Sequence, residues 1–295
     1  MRKETARFWM LLAVALAVTA RTLQLQLFYD PAAGFTTDGG WLSGVVLGLA
    51  AVAVFLPFIR TEGREIVFSA QRRVFCGAAA LLCGNSLLFG TLMNIKIGIP
   101  PESTLSFSAL SRSVYAVHLA ASALAGVAML YLAVCHFMGW APFEKARWLC
   151  LLPVLAVGTK ALYIFAMFTP EDSTFVNLLN LVALALLLGF FTQLGRACAD
   201  AEPPVQQRPM LLYAAGAAAV GLVSSLPNLF CLLANVPCVH SADTAHLISV
   251  AGLSFYALAA AMGMGQRYVF RRLRRPVYTQ GQKVHDFAQE NGQNE

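Results

Sequence analysis

Apolar runs of about twenty residues recur along this chain, the length an α-helix needs to cross a hydrocarbon layer roughly 30 Å thick. Eight such runs can be marked, at 8–28, 41–59, 74–95, 113–138, 149–168, 174–194, 210–236 and 246–270, with short polar breaks between them. Inside lipid no water is present to satisfy the backbone, so each run must close its hydrogen bonds within itself as a helix. The expectation is an all-α polytopic membrane protein with eight transmembrane helices. With 58% of residues hydrophobic and 12% charged, the chain is too apolar for a water-soluble domain. The runs take up most of the 295 residues. That leaves one membrane domain, 1–276, a polar and disordered cytoplasmic tail at 277–295, and no soluble catalytic or signalling domain.

Basic residues give the orientation. Of the 21 lysines and arginines, only Lys96 and Arg112 fall in outward segments if the N-terminus is inside, and only Arg21, Lys160 and, at the cytoplasmic end of the last run, Arg267 fall within runs. Insertion retains lysine and arginine on the cytoplasmic side, so an N-in, C-in arrangement follows. The net charge of +6 then reports topology, and no nucleic-acid partner is implied. Beyond the eighth run, "RYVFRRLRR" places Arg267, Arg271, Arg272, Arg274 and Arg275 at the cytoplasmic face. Anionic lipid headgroups would hold them there at about 1 kcal/mol per charge. A cleaved signal peptide competes for the N-terminus, because "MRKETAR" is basic and Val18-Thr19-Ala20 resembles a cleavage site. Against it, the run continues through Leu23, Leu25 and Leu27 to Phe28. No N-x-S/T sequon occurs, which points to a prokaryotic plasma membrane.

A shift of 139 residues lays 12–31, "LAVALAVTARTLQLQLFYDP", on 151–170, "LLPVLAVGTKALYIFAMFTP". Arg21 falls on Lys160, Gln24 falls on Tyr163, and both segments end in proline. Such a register suggests a parallel four-plus-four duplication of 8–138 and 149–270. Chance alignment of two Leu/Ala-rich helices is the rival explanation.

The two cations carry the functional argument. A charge in hydrocarbon costs roughly 2.5–3.5 kcal/mol even on the lenient insertion scale, so Arg21 and Lys160 should face the bundle interior or water. Gln24 and Tyr163 follow three residues on, which sets each beside its cation on one helical face. None of the 15 acidic residues lies within a run. The counter-charge must therefore come from loop acids such as Asp30, Asp38 or Glu171, from a lipid phosphate, or from an anionic ligand. Asn85 and Asn228 are amides available to line a cavity with these residues. Asn228 follows Pro227, which should kink the seventh helix and free carbonyls. Gly44-x-x-x-Gly48 would permit close helix contact. Cys238, His240, Asp243 and His246, with His118 near, are ligand types that zinc accepts, but their spacing fits no zinc pattern and neither a metal nor a cofactor is expected. With no H-E-x-x-H, no intramembrane aspartate pair, no G-x-S-x-G and no P-loop, no enzyme is expected.

The run Arg21, Gln24, Asp30, Pro31, Gly34, Phe35 in a first span resembles that of uncharacterised multi-pass membrane proteins of anaerobic Gram-positive bacteria. The resemblance implies a multi-pass fold and no particular activity. Two functional classes stay open: binding or passage of a small anionic or lipid-like molecule, and a non-transporting accessory or assembly role in a membrane complex.

The orientation is directly testable. In a variant whose native cysteines are replaced, a reporter cysteine at Thr37 or Ser241 is expected to react with a membrane-impermeant reagent on intact cells. One at Glu62 or Gln282 should stay unlabelled; the opposite pattern refutes the N-in arrangement.

Overall fold

A computed structural model of the chain describes residues 3–30, 35–59, 73–97, 109–140, 147–166, 174–198, 207–234 and 244–263. Eight α-helices make up nearly all of it: α1 (Lys3–Phe28), α2 (Trp41–Ile59), α3 (Arg73–Ile97), α4 (Ala109–Met138), α5 (Leu152–Ala166), α6 (Thr174–Cys198), α7 (Gln207–Leu233) and α8 (Thr244–Gly263). Seven are long and apolar enough to cross a membrane, and α2 is shorter by that measure. The chain is thus an all-α, multi-pass membrane protein. The arginines at 267–275, the tail at 277–295, and Cys238, His240 and Asp243 lie outside the described residues.

Helix ends follow local chemistry. After α4, Gly139 adopts a left-handed φ of 71° and the Trp140 amide donates to the Cys135 carbonyl at 3.0 Å. That six-residue closure is a Schellman cap, and it satisfies a carbonyl the helix leaves open. A 3-10 turn, Arg147–Leu151, leads into α5, with Pro153 in the first α-turn where its missing amide proton costs nothing. Between α1 and α2 the chain forms a two-residue antiparallel pairing, β1 (Tyr29–Asp30) with β2 (Phe35–Thr36), which the hydropathy pattern does not announce. Gly39 and Gly40, at φ of 67° and 84°, then turn the backbone into α2.

The helices pack as a closed ring plus a hairpin. Successive neighbours α3, α4, α5, α6, α7 and α8 touch in order, and α8 closes the ring against α3. The α1–α2 hairpin docks outside that ring on α7. This differs from the four-plus-four duplication. Under a repeat, α2 and α3 should pack as α6 and α7 do; instead, among the described residues, α2 rests on α1 and α7 with no comparable packing on α3. The physical reason lies in where small residues permit close approach. A Cβ on Gly252 or Gly221 of α8 and α7 would strike Ser86 of α3 and Ser254 of α8, and one on Gly90 of α3 would strike Ser249 of α8. Helices in lipid associate where small residues bring backbones together, and α8 carries such contacts on two sides. It is accordingly buried along most of its length.

The far half of the ring is filled. Tyr256 of α8 is wholly buried, packs on Phe190 and Phe191 of α6, and its hydroxyl lies 3.2 Å from Nε2 of His136 on α4. Met129, Leu132 and Leu187 are buried in the same core. Gly44 and Gly48, by contrast, have nothing within 4 Å of where a side chain would begin, so the expected close contact of α2 is not made among the described residues.

Glycine substitutions separate these cases. A Cβ at Gly84 would lie 2.8 Å from Leu130 and 2.9 Å from the Gly126 carbonyl, so Gly84→Ala is expected to destabilise by about 1–3 kcal/mol through overpacking. Gly44→Ala should leave the melting temperature in detergent unchanged. Equal behaviour of the two variants would refute the α3–α4 packing.

Candidate functional site

Two polar clusters occupy the end of the bundle that carries the α1–α2 turn, and α7 stands between them. The first is built on α1. Arg21 is 6% exposed, and its guanidinium donates to Oε1 of Gln24, one helical turn on. Gln24 is fully buried, and its amide nitrogen donates to Oδ2 of Asp38 at 3.0 Å and to Oγ of Ser43 at 2.9 Å. The carboxamide thus has its oxygen toward the cation and both its N–H donors engaged. Asp38 also accepts from the Leu42 amide at 3.0 Å, at the positive end of α2.

The counter-charge of Arg21 therefore comes from a loop acid folded down over the helix end. Arg21 and Asp38 act on one another electrostatically, and Oδ1 of Asp38 is buried without a hydrogen-bond partner, which leaves the arginine's field to compensate it. Burial pushes the Asp38 carboxyl up, but hydrogen bonds from the Thr36 hydroxyl, the Gln24 amide and the backbone amides of Leu42 and Asp38 outweigh that. The group titrates below the ordinary aspartate value. Asn228 is buried on α7, where its amide donates to the Ser224 carbonyl at 2.8 Å. Ser224 and Ser225 donate to the Gly221 carbonyl within the same helix.

The second cluster lies inside the ring. A cavity of about 20 Å³ is walled by α3, α4, α5, α6 and α8. That is room for about one or two water molecules. Its polar lining includes Lys160, His118, His246, Thr91, Asn94 and Ser249. Lys160 is 7% exposed, with its ammonium 5.5 Å from the centre of the Tyr163 ring, so the expected i, i+3 pairing is realised as a cation–π contact. Tyr163 in turn stacks on His118 at 6.4 Å with an interplanar angle of 9°.

The two histidines differ. His118 is anchored: Nδ1 lies 3.3 Å from the Ser122 hydroxyl and 3.4 Å from that of Thr159. The Thr159 hydroxyl also donates to the Leu155 carbonyl at 2.7 Å, so toward His118 it can only accept. His246 is 5% exposed, and neither of its ring nitrogens has a hydrogen-bond partner. An imidazole so placed in an apolar bundle normally costs stability unless something fills the gap. Lys160 acts electrostatically on both rings, and among the described residues no acid lines the cavity.

Of the residues singled out from sequence, Arg21 and Gln24 form one cluster, while Lys160 and Tyr163 form part of another. They do not share a cavity, and Arg21 and Lys160 do not occupy equivalent places: α7 intervenes. Asn228 does not line the cavity. Asn85 is not a lining residue either; it is exposed on the outer surface of α3. His118 and His246 were legible only as possible metal ligands. Among the described residues no group of three metal-binding side chains exists. What brings them to Lys160 is the packing of α4, α5 and α8. No protein-family model, no curated protein and no solved structure matches this chain.

The first cluster predicts acid sensitivity. A lowered carboxyl value means that the folded protein favours the Asp38 carboxylate more than the unfolded chain does. Its stabilising contribution is complete above the ordinary value of about 3.9 and is lost as pH falls through the folded value. Asp38→Asn is expected to lower the melting temperature in detergent at neutral pH and to flatten its decline below about pH 4. Arg21→Gln, which leaves a buried carboxylate without its cation, should cost about 3 kcal/mol. Full stability of Arg21→Gln would show that Arg21 does not serve the fold.

Proposed function

We propose that the cavity inside the α3–α8 ring binds a small anion at Lys160, His118 and His246, and that this binding is the protein's function in the membrane. The observation that carries the reading is His246: buried, with both nitrogens unpartnered, beside an intramembrane lysine in a cavity whose described lining holds no acid. Such a donor set suits an anion because ammonium and imidazole N–H groups in a low-dielectric site replace its hydration shell. The cavity volume favours a monatomic ion or the tip of a larger oxyanion. A lipid phosphate would present the same chemistry as free phosphate.

This reading includes an eight-span arrangement, N-terminus inside, in a plasma membrane, with α2 as the short second span. The cavity then opens toward the outer leaflet. Passage across the membrane would require the layer of Tyr256, Phe190 and Phe191 to move, so binding is the primary activity and transport a consequence of opening. The accessory role in a membrane complex is the alternative, and the closed lower half of the ring favours it over a permanently open channel.

Thermal melts of purified protein distinguish the readings, with chloride, inorganic phosphate and phosphatidylglycerol micelles as separate probes. A bound anion at a hundredfold excess over its Kd stabilises the folded state by about 2.7 kcal/mol. Wild type is expected to gain several degrees with at least one probe. Lys160→Gln should lose that gain while melting near the wild-type temperature without ligand, since among the described residues no acid in the cavity lining is left unpaired by its removal. A gain only with the lipid identifies a headgroup site. No gain with any probe, together with a destabilised Lys160→Gln, would refute anion binding and leave Lys160 a structural residue.

A further inference from the structure

The face that α3 turns away from the ring is apolar except at one point. Phe75, Ala78, Leu82, Asn85, Phe89 and Leu92 are all exposed and succeed one another at alternating spacings of three and four residues. Any helix face turned to lipid shows this period, so the period alone identifies nothing. Asn85 does. Among the described side chains, the amides of Gln24, Asn94, Asn180 and Asn228 are buried, Gln193 is half-buried, and the exposed Gln26 stands two residues from the end of α1; Asn85 is exposed in mid-helix, and it makes no hydrogen bond. Hydroxyls on the outer surface do not share its difficulty, because Thr19 and Thr192 donate to carbonyls of their own helices. A carboxamide in mid-helix cannot do the same for all its donors and acceptors, and hydrocarbon offers it nothing.

We infer that α3 is a homodimer interface and that Asn85 pairs with Asn85 of a second copy of this chain. Three properties select a second copy as the occupant. An amide is self-complementary, since its oxygen accepts what the partner's nitrogen donates. Two copies inserted in the same sense are related by a two-fold axis along the membrane normal, which brings identical residues to the same depth. Asn85 is also the midpoint of α3 (Arg73–Ile97), where two long helices crossing at a small angle touch along the greatest length. A single asparagine in an otherwise apolar seam fixes register and favours two strands. The flanking Leu82 and Phe89, each about half exposed, would supply the dispersion contacts on either side of the amide pair. In the α3–α8 ring this face is opposite the cavity, so association leaves the anion site unobstructed.

The experiment uses the full-length chain in lipid vesicles at low protein density, with subunits counted by single-molecule photobleaching. Wild type is expected to be dimeric. Asn85→Leu should weaken association about tenfold, and Asn85→Gln, which keeps the amide, should retain most of it. Independently, in a variant lacking native cysteines, Leu82→Cys or Phe89→Cys should form a disulfide between copies, whereas Leu124→Cys on the exposed face of α4 should not. Monomeric wild type, crosslinking through α4 in place of α3, or association unchanged by Asn85→Leu in a normally folded protein would each overturn the inference. Crosslinking of α3 to a different protein would also do so.

Discussion

Close approach of α8 to its two neighbours is the constraint on which the rest of this structure depends. Ser86, Ser249 and Ser254 sit against Gly252, Gly90 and Gly221, so that α3, α8 and α7 meet where a single added methyl group would clash. Lipid gives helices little hydrophobic reason to associate, so contact of this kind has to supply the cohesion. Once α8 is held on both sides the six helices α3 to α8 can close, and their closure creates an interior. The same closure brings His246 from α8 to face Lys160 from α5 and His118 from α4. Nothing in the local sequence of any one of these helices requires the other two.

The two intramembrane cations show how a bundle meets one electrostatic problem in two ways. Arg21 is neutralised from outside the helices: the chain turns after α1, pairs two residues with two, and lays Asp38 over the helix end, with Gln24 as the connecting amide. Arginine suits that arrangement, because its planar, permanently charged group donates along fixed directions to a neighbouring acceptor. Lys160 sits on an aromatic face beside two imidazoles, a setting that softens the charge without cancelling it. Lysine is a compact point charge with rotatable donors, and a site of that kind can engage a ligand and release it. The first cluster ties the α1–α2 turn to its helix and the second is the proposed anion site, though at the level of sequence they look like copies.

A third polar pair, His136 with Tyr256, is satisfied internally at the opposite end of the ring and lies among Phe190, Phe191 and Met129. It marks the floor beneath the cavity. The hydrogen bond gives the layer a single arrangement, since a buried tyrosine hydroxyl must find a partner. Any path through the ring would have to break that contact, so gating and packing are properties of the same residues. On the outer surface the described helices offer lipid an apolar coat that Asn85 interrupts at the middle of α3, and there the proposed partner of the amide is a neighbouring copy in place of an interior.

Fold class was legible in the sequence because the requirement is one-dimensional: a run of apolar residues long enough to cross lipid must be a helix, whatever surrounds it. The i, i+3 companions of the two cations were legible for the same reason, as helix geometry sets Gln24 beside Arg21 and Tyr163 beside Lys160. The two segments with that shared spacing meet different neighbours, because identical local patterns can be packed in different surroundings. Asn85 shows the limit most plainly. Its sequence context is that of any amide in a span, and whether it lines a cavity or meets lipid depends on the rotation of α3 against α4 and α8, set by Gly84, Gly90 and Ser86. The sequence determined that charges and amides would lie within a membrane; only the tertiary structure decided which of them meet, because burial in lipid is a property of a helix while a site is a property of the faces several helices turn toward one another.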